Sequence, residues 1–301
     1  MKKKRWNENN IADQSGRIAI VTGSSSGIGF ESARVLALKK AKVIIAVRNI
    51  QKGERAKEII LAEIPKADLE ILELDLASLD SVRKFADDFQ QRHSYLDLLI
   101  NNAGVMMPPY SKTSDGFELQ MGTNHLGHFA LTALLFPLLR QKKGSRIVNV
   151  SSMAHKGGKI NFEDLDWSRR KYKAMKSYGD SKIANLYFTR ELKERMNEKQ
   201  IDVKVVSAHP GWTATELQRH VGLFSFLNRF FAQDIPMGAL PTLYAAVADD
   251  VESGDYYGPS GFMEMKGYPK KVEPSEEAKK PEVSEKLWKI SEKLTRISFP
   301  I

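Results

Sequence analysis

The sequence has no cysteine, which rules out disulfides, thiolate metal centres and a cysteine nucleophile. It also lacks an uninterrupted apolar run approaching the roughly 20 residues that a membrane helix needs. The N-terminus opens Lys2-Lys3-Lys4-Arg5 and then turns polar, without the apolar stretch of a secretory signal. Histidine is scarce, six in all, and even His125 and His128 have no carboxylate or thiol companions close by, so no metal site is expected. Charge segregation is missing too. The net charge is +9, but Lys and Arg are dispersed apart from the N-terminal cluster, which argues against nucleic acid and suits an anionic cofactor. These absences lead to the expectation of a soluble, cytoplasmic globular protein with no transmembrane segment.

What is present is an alternation. Apolar, β-branched runs at 17–22, 42–47, 69–74, 96–100, 146–150 and 203–207 read as strands, and segments at 31–39, 51–63, 79–92, 117–139 and 177–197 have helical recurrence. Six strands with helical crossovers predict an α/β fold, a single-domain, Rossmann-type doubly wound parallel sheet with its ligand crevice at the strands' carboxyl ends. No repeat and no Gly/Ser/Pro-rich linker divides the chain. Residues 1–14 read as a flexible leader and 15–272 as the domain. Residues 273–301 read as a tail, in which a charged connection with two prolines precedes a final helix over 283–295.

The first strand runs into Thr22-Gly23-Ser24-Ser25-Ser26-Gly27-Ile28-Gly29, and a helix follows at once. Glycines let a backbone approach a pyrophosphate, and the helix start offers unpaired N–H groups and positive dipole. At the end of the second strand, where an NAD site places an acid for the ribose 2′-hydroxyl, stands Arg48, which suits the 2′-phosphate of NADP(H). Asp75-Leu76, after the third strand, is placed to meet the adenine, or to cap the next helix.

Tyr178 and Lys182 are four residues apart on a helix, so both project from one face. A phenol titrates near ~10, and a neighbouring ammonium lowers that by roughly 1 to 3 units, giving a proton donor for a substrate oxygen. With the glycine turn, Asn101-Asn102-Ala103-Gly104, Asn124, Ser151-Ser152, Tyr178-Gly179-Asp180-Ser181-Lys182 and His209-Pro210-Gly211 in this order, the sequence over about 15–267 resembles the short-chain dehydrogenase/reductase family.

The resemblance implies an oxidoreductase in which Tyr178 is general acid in reduction and general base in oxidation, while Lys182 tunes it and holds the nicotinamide ribose. It implies further that Ser152, rather than Ser151, bonds the substrate oxygen, and that Asn124 anchors a water in a proton relay through Lys182. Gly23, Ser25, Ser26, Gly27, Ile28 and Gly29 would line the phosphates, Asn102, Ala103 and Gly104 the adenosine side, and Pro210, Gly211 and Thr213 the nicotinamide. A homodimer or homotetramer is also implied, with 117–139 and 177–197 as candidate contacts.

Within the family, Ala46-Val47-Arg48-Asn49, Gly158-Lys159-Ile160-Asn161-Phe162 with Asp164-Leu165, and Tyr256-Tyr257-Gly258-Pro259 resemble the branch of retinol dehydrogenases and WW-domain oxidoreductases. So does the spacing of 26 between Ser152 and Tyr178 (178 − 152). Over 212–234, Leu223, Leu227, Phe230 and Phe231 fall at helical spacing beside Phe224 and Phe226, and this suggests an amphipathic substrate lid over about 212–235 and a lipophilic carbonyl or alcohol substrate. Arg219 and Arg229 flank that apolar face and leave contact with a membrane surface as another use for it. A non-catalytic NADP(H)-responsive binding protein and a protochlorophyllide-reductase-like enzyme are the other readings of the same motifs.

Overall fold

The computed structural model describes residues 5–213 and 233–301. Strands β1 (Ile18–Thr22), β2 (Lys42–Val47), β3 (Leu69–Glu73), β4 (Leu98–Asn101), β5 (Ser145–Val150) and β6 (Val203–Ala208) are parallel and lie in the order β3-β2-β1-β4-β5-β6. The order reverses between β1 and β4, which leaves a crevice beyond their carboxyl ends. Two strands extend the expected six: β7 (Tyr256–Pro259) pairs parallel with β6, and β8 (Pro269–Lys271) closes the edge antiparallel to β7.

Both faces of the sheet are buried, and the two-residue period of the strands divides them. Ile18, Ile20, Ile44 and Leu72 join a core with α3 (Leu79–Arg92), α4 (Gly127–Leu139) and α5 (Ala174–Glu198). Ala19, Val21, Val43 and Ile45 join another with α1 (Gly27–Leu38), α2 (Ile50–Glu63) and α6 (Ile235–Val247). In α3 the stripe Val82, Phe85, Ala86 and Phe89 is buried, and Ser78 caps the helix start by accepting from Ser81 N–H at 3.3 Å.

The segment 117–139 is not one regular helix. A short helical turn (Leu119–Met121) widens into a π turn over Gly122–Leu126, in which the Gly127 N–H reaches back five residues to the Gly122 carbonyl, and only then does α4 begin. Such one-residue insertions recur at functional sites because they re-aim a side chain without ending the helix. Here the re-aimed residue is Asn124.

The described parts of both terminal segments are part of the packing. In the segment read as a loose leader, Ile11 is buried, Trp6 meets Tyr244 edge-on at 4.9 Å and Glu8 pairs with Arg34 at 3.0 Å. In the segment read as a tail, α7 (Pro281–Thr295) sets Trp288 5.2 Å from Phe129 and 5.9 Å from Phe188, and Phe299 lies 5.1 Å from Phe136. The C-terminal segment thus covers part of α4 and α5, the helices that are the candidate contacts between copies. Residues 214–232, most of the expected lid, lie outside the described residues.

Candidate active site

A cleft of about 430 Å³ opens at the carboxyl ends of the strands, and its walls include the β1–α1 turn, the ends of β2 and β3, Asn102 to Val105, Ser151, Tyr178, Lys182 and Pro210. The turn is built for close approach. Gly23 has φ +68° and Gly27 φ +59°, in the left-handed region that a Cβ disfavours. A Cβ on Gly23 would stand 2.9 Å from Ala103, and one on Gly29 would meet Asn102 Nδ2 at 2.4 Å and the Gly23 carbonyl oxygen at 2.5 Å. Ser26, the N-cap of α1, makes no side-chain cap, so the first N–H groups of the helix are left for a ligand. Ser25, Ser26 and Ile28 line the same wall.

At the outer end of the cleft the charge is positive. Arg48 is exposed, and Lys52, in the first turn of α2, lines the wall beside it. Asn49 caps that helix by accepting from Lys52 N–H at 2.8 Å. The one carboxylate among the described lining residues, Asp75, accepts from Ala77 N–H at 2.9 Å. Lys52 was not legible as a site residue from the sequence. Its signal is the position one helical turn beyond Arg48.

Thr22 and Asn102 form the floor. The Thr22 hydroxyl accepts from the N–H groups of Asn102 and Ala103, both at 2.9 Å, and Asn102 Nδ2 donates to the Thr22 carbonyl at 2.8 Å. Asn102 therefore clasps the ends of β1 and β4 as well as lining the cleft.

At the inner end, burial governs the ionisable groups. The Tyr178 phenol is pushed up to about 12 by burial, with the nearby Ser152 hydroxyl pulling the other way. Burial brings Lys182 down to about 8. The Lys182 ammonium donates to the Val150 carbonyl at 3.2 Å and lies 5.8 Å from the centre of the Tyr178 ring, over its face. The resemblance implies a lowering of the phenol by Lys182; here burial sets the direction upward, opposed by Ser152.

Ser151 turns its hydroxyl to the Lys182 carbonyl at 2.8 Å, which leaves Ser152 as the serine beside Tyr178. Asn124 is fully buried behind the cleft. It accepts from Val105 N–H at 2.8 Å and donates to Ser181 Oγ at 2.9 Å, and Ser181 in turn donates to the Tyr178 carbonyl at 2.8 Å.

Pro210 lines the cleft, whereas Asn124, Ser152, Gly211 and Thr213 stand outside its described walls. Thr213 donates to the Pro210 carbonyl at 2.9 Å and packs on Gly238. Gly211, at φ +66°, donates its N–H to His209 Nδ1 at 3.2 Å, and a Cβ there would stand 2.4 Å from the Met265 carbonyl oxygen. On the other side of the ring, Glu264 Oε2 lies 3.1 Å from His209 Nε2 but off the N–H axis, so the contact is electrostatic. The turn that carries Glu264 is strained, with Met263 at φ +50° and Glu264 at +59°. Glu264 escapes sequence reading because it lies 55 positions (264 − 209) from its partner. Among the described residues no cluster of three metal-ligating side chains forms, and no helix is long and apolar enough to cross a membrane.

The geometry fits a phosphate-bearing, elongated ligand at the glycine turn with chemistry at Tyr178, and comparison with known proteins agrees. A family model described as short chain dehydrogenase matches residues 17–223. Retinol dehydrogenase 12 of Mus musculus is 41% identical over 289 residues, covering 94% of this chain and 88% of that protein. Retinol dehydrogenase 11 of Mus musculus is 45% identical over 241 residues, covering 79% and 75%. Among solved structures, an uncharacterized protein from Mycobacterium Paratuberculosis superposes with a TM-score of 0.85 at 41% identity, covering 99% of this chain and all of that one (100%). The RhlG/NADP active-site complex of Pseudomonas aeruginosa superposes with a TM-score of 0.64 at 26% identity, covering 80% and 94%.

Proposed function

The chain belongs to the short-chain dehydrogenase/reductase family, in the branch of the retinol dehydrogenases, and we propose that it is an NADP(H)-dependent enzyme interconverting a lipophilic carbonyl and its alcohol. The family makes it a carbonyl/alcohol oxidoreductase. The observation that carries the finer reading is one cleft with a Cβ-intolerant cradle and two cations, Arg48 and Lys52, at one end and Tyr178 with Lys182 at the other.

The nicotinamide cofactor supplies or accepts the hydride when bound. The chain's own residues do the rest. Gly23, Gly27 and Gly29, with the start of α1, hold the phosphates, and Arg48 and Lys52 pair with a 2′-phosphate. Asn102, Ala103 and Gly104 flank the adenosine side, and Pro210 and Gly211 the nicotinamide. Tyr178 keeps its proton at neutral pH and delivers it from Oη to the carbonyl oxygen during reduction. In oxidation it takes the proton back. Ser152 orients the substrate oxygen, and Asn124 and Lys182 keep the proton supply behind Tyr178.

A lipophilic substrate is favoured by apolar side chains left in water on the segments that adjoin Tyr178 and Gly211. Met175, three residues before Tyr178, is 50% exposed, and Phe262 and Met263, in the turn that holds Gly211, are 79% and 63% exposed. The relatives' name adds retinol and retinal to the panel worth trying.

Cofactor titration tests the reading. NADPH binds more tightly than NADH, and Arg48→Ala and Lys52→Ala each weaken NADPH by about ten-fold, the loss of one charge-assisted contact, with NADH unaffected. Equal affinities in the wild type, or unchanged NADPH affinity in both variants, would overturn the 2′-phosphate assignment. Absence of turnover across a broad aldehyde, ketone, alcohol and retinoid panel would favour a binding protein.

A further inference from the structure

His128, in the first turn of α4, is buried between two parts of the site that are far apart in sequence. Its Nε2 lies 3.0 Å from the Thr22 hydroxyl and its Nδ1 3.0 Å from the Asn124 carbonyl. Counting lone pairs fixes the protons. A hydroxyl accepts twice and donates once, and Thr22 already accepts from two backbone N–H groups, so its own proton is what it has left to give. Its two possible acceptors are the Ile100 carbonyl at 3.3 Å and His128 Nε2 at 3.0 Å. A protonated Nε2 would point at an oxygen with no lone pair free, so Nε2 is bare. Nδ1 then carries the hydrogen and donates to the Asn124 carbonyl, which can only accept.

We infer that His128 is a positioning residue for the reaction, a neutral imidazole strut that accepts from Thr22, donates to Asn124, and holds the cofactor turn in register with the Lys182 side of the site. The strut spans the switch point. On one side Thr22 organises the Asn102-Ala103 backbone against Gly23, and on the other the π turn presents Asn124, tied through Ser181 to Tyr178. Burial favours the same neutral form. His125, also buried, serves a different purpose. Its Nε2 lies 2.8 Å from Ser291 Oγ and its ring packs toward Phe129 and Phe188, which joins α7 to the body.

The importance of Asn124 for turnover rests on the proposed function, whereas the strut's geometry does not, and the experiment separates the two. In the whole 301-residue chain, 15N NMR of the imidazoles at neutral pH is expected to show His128 protonated at Nδ1 and bare at Nε2. An Nε2–H tautomer or an imidazolium overturns the strut. His128→Asn keeps a donor where Nδ1 stands and loses the Nε2 acceptor, and His128→Gln does the reverse.

The Asn variant is therefore expected to weaken NADPH binding more than it lowers kcat, and the Gln variant to lower kcat more than it weakens NADPH, each larger effect being about ten-fold. If both variants lose affinity and turnover together, in step with a fall in Tm, His128 only fills space and the inference is wrong. Should the wild type turn over no substrate, the functional reading falls, and the tautomer and the NADPH affinities of the two variants still decide the strut.

Discussion

Tyr178 and Lys182 sit where water is excluded, and exclusion acts on them in opposite directions. A buried phenol holds its proton, up to about 12, and a buried ammonium releases its own, down to about 8. The pair therefore starts as a loaded acid, suited to reduction. In the proposed mechanism the oxidative direction uses the phenolate, whose fraction grows about ten-fold per pH unit below the phenol's pKa. Carbonyl reduction should thus be level from about pH 6 to about pH 8, while alcohol oxidation climbs steadily through the same interval. Steady-state profiles in both directions check this, and an oxidation rate indifferent to pH would remove Tyr178 as the base.

Among the elements, α7 does most to distinguish this chain from a bare doubly wound domain. Trp288 is 3% exposed and packs with Phe129, Phe188 and Phe299. Trp288→Ala should lower unfolding stability by about 3–5 kcal/mol, the usual cost of an aromatic cavity. It should also uncover the α4 and α5 faces enough to favour self-association. Denaturant melts and light scattering measure both, and a loss under about 1 kcal/mol would mean that α7 is peripheral.

The six parallel strands were legible because each is a short run rich in apolar residues between helical patterns, β-branched in β1, β2, β5 and β6 and leucine-rich in β3 and β4. β7 and β8 were not, since Tyr256–Pro259 is four residues ending in glycine and proline, and Pro269–Lys271 is a three-residue edge with two lysines. The π turn was hidden for another reason. Apolar recurrence runs through 117–139, and the one-residue slip at Gly122–Leu126 is set by tertiary contact: Gly122 lies so close to Thr113 that a Cβ would stand 2.4 Å from it. The glycine turn, Arg48, Ser152, Tyr178 and Lys182 stand out as candidates from motif order and spacing, whereas His128 and Glu264 are visible only once folding brings their partners to them.

At the scale of the whole molecule, four buried histidines among the described residues make the fold sensitive to acid. Burial holds His125 down to about 3 and His128 and His155 down to about 4, from 6.5, and lowers His209 as well. Between 6.5 and those folded values the unfolded chain binds protons that the native one refuses. The stability these groups contribute is complete above 6.5 and is lost as pH falls toward 4 and 3. From about pH 7 to about pH 5 the loss is on the order of 5 kcal/mol. Thermal melts across that range should show Tm falling steeply, and a constant Tm would mean that the histidines titrate as if exposed.

In the proposed function this one cleft joins a bound NADPH to a proton held on Tyr178. The direct measurement is a single turnover: the wild type and Tyr178→Phe are each loaded with NADPH and mixed with an aldehyde that the wild type reduces, and loss of NADPH absorbance is followed in time. NADPH affinity should be unchanged in the variant and the rate lower by about 100-fold or more, within the range supplied by a positioned general acid. A variant that reduces the aldehyde at close to the wild-type rate would contradict it.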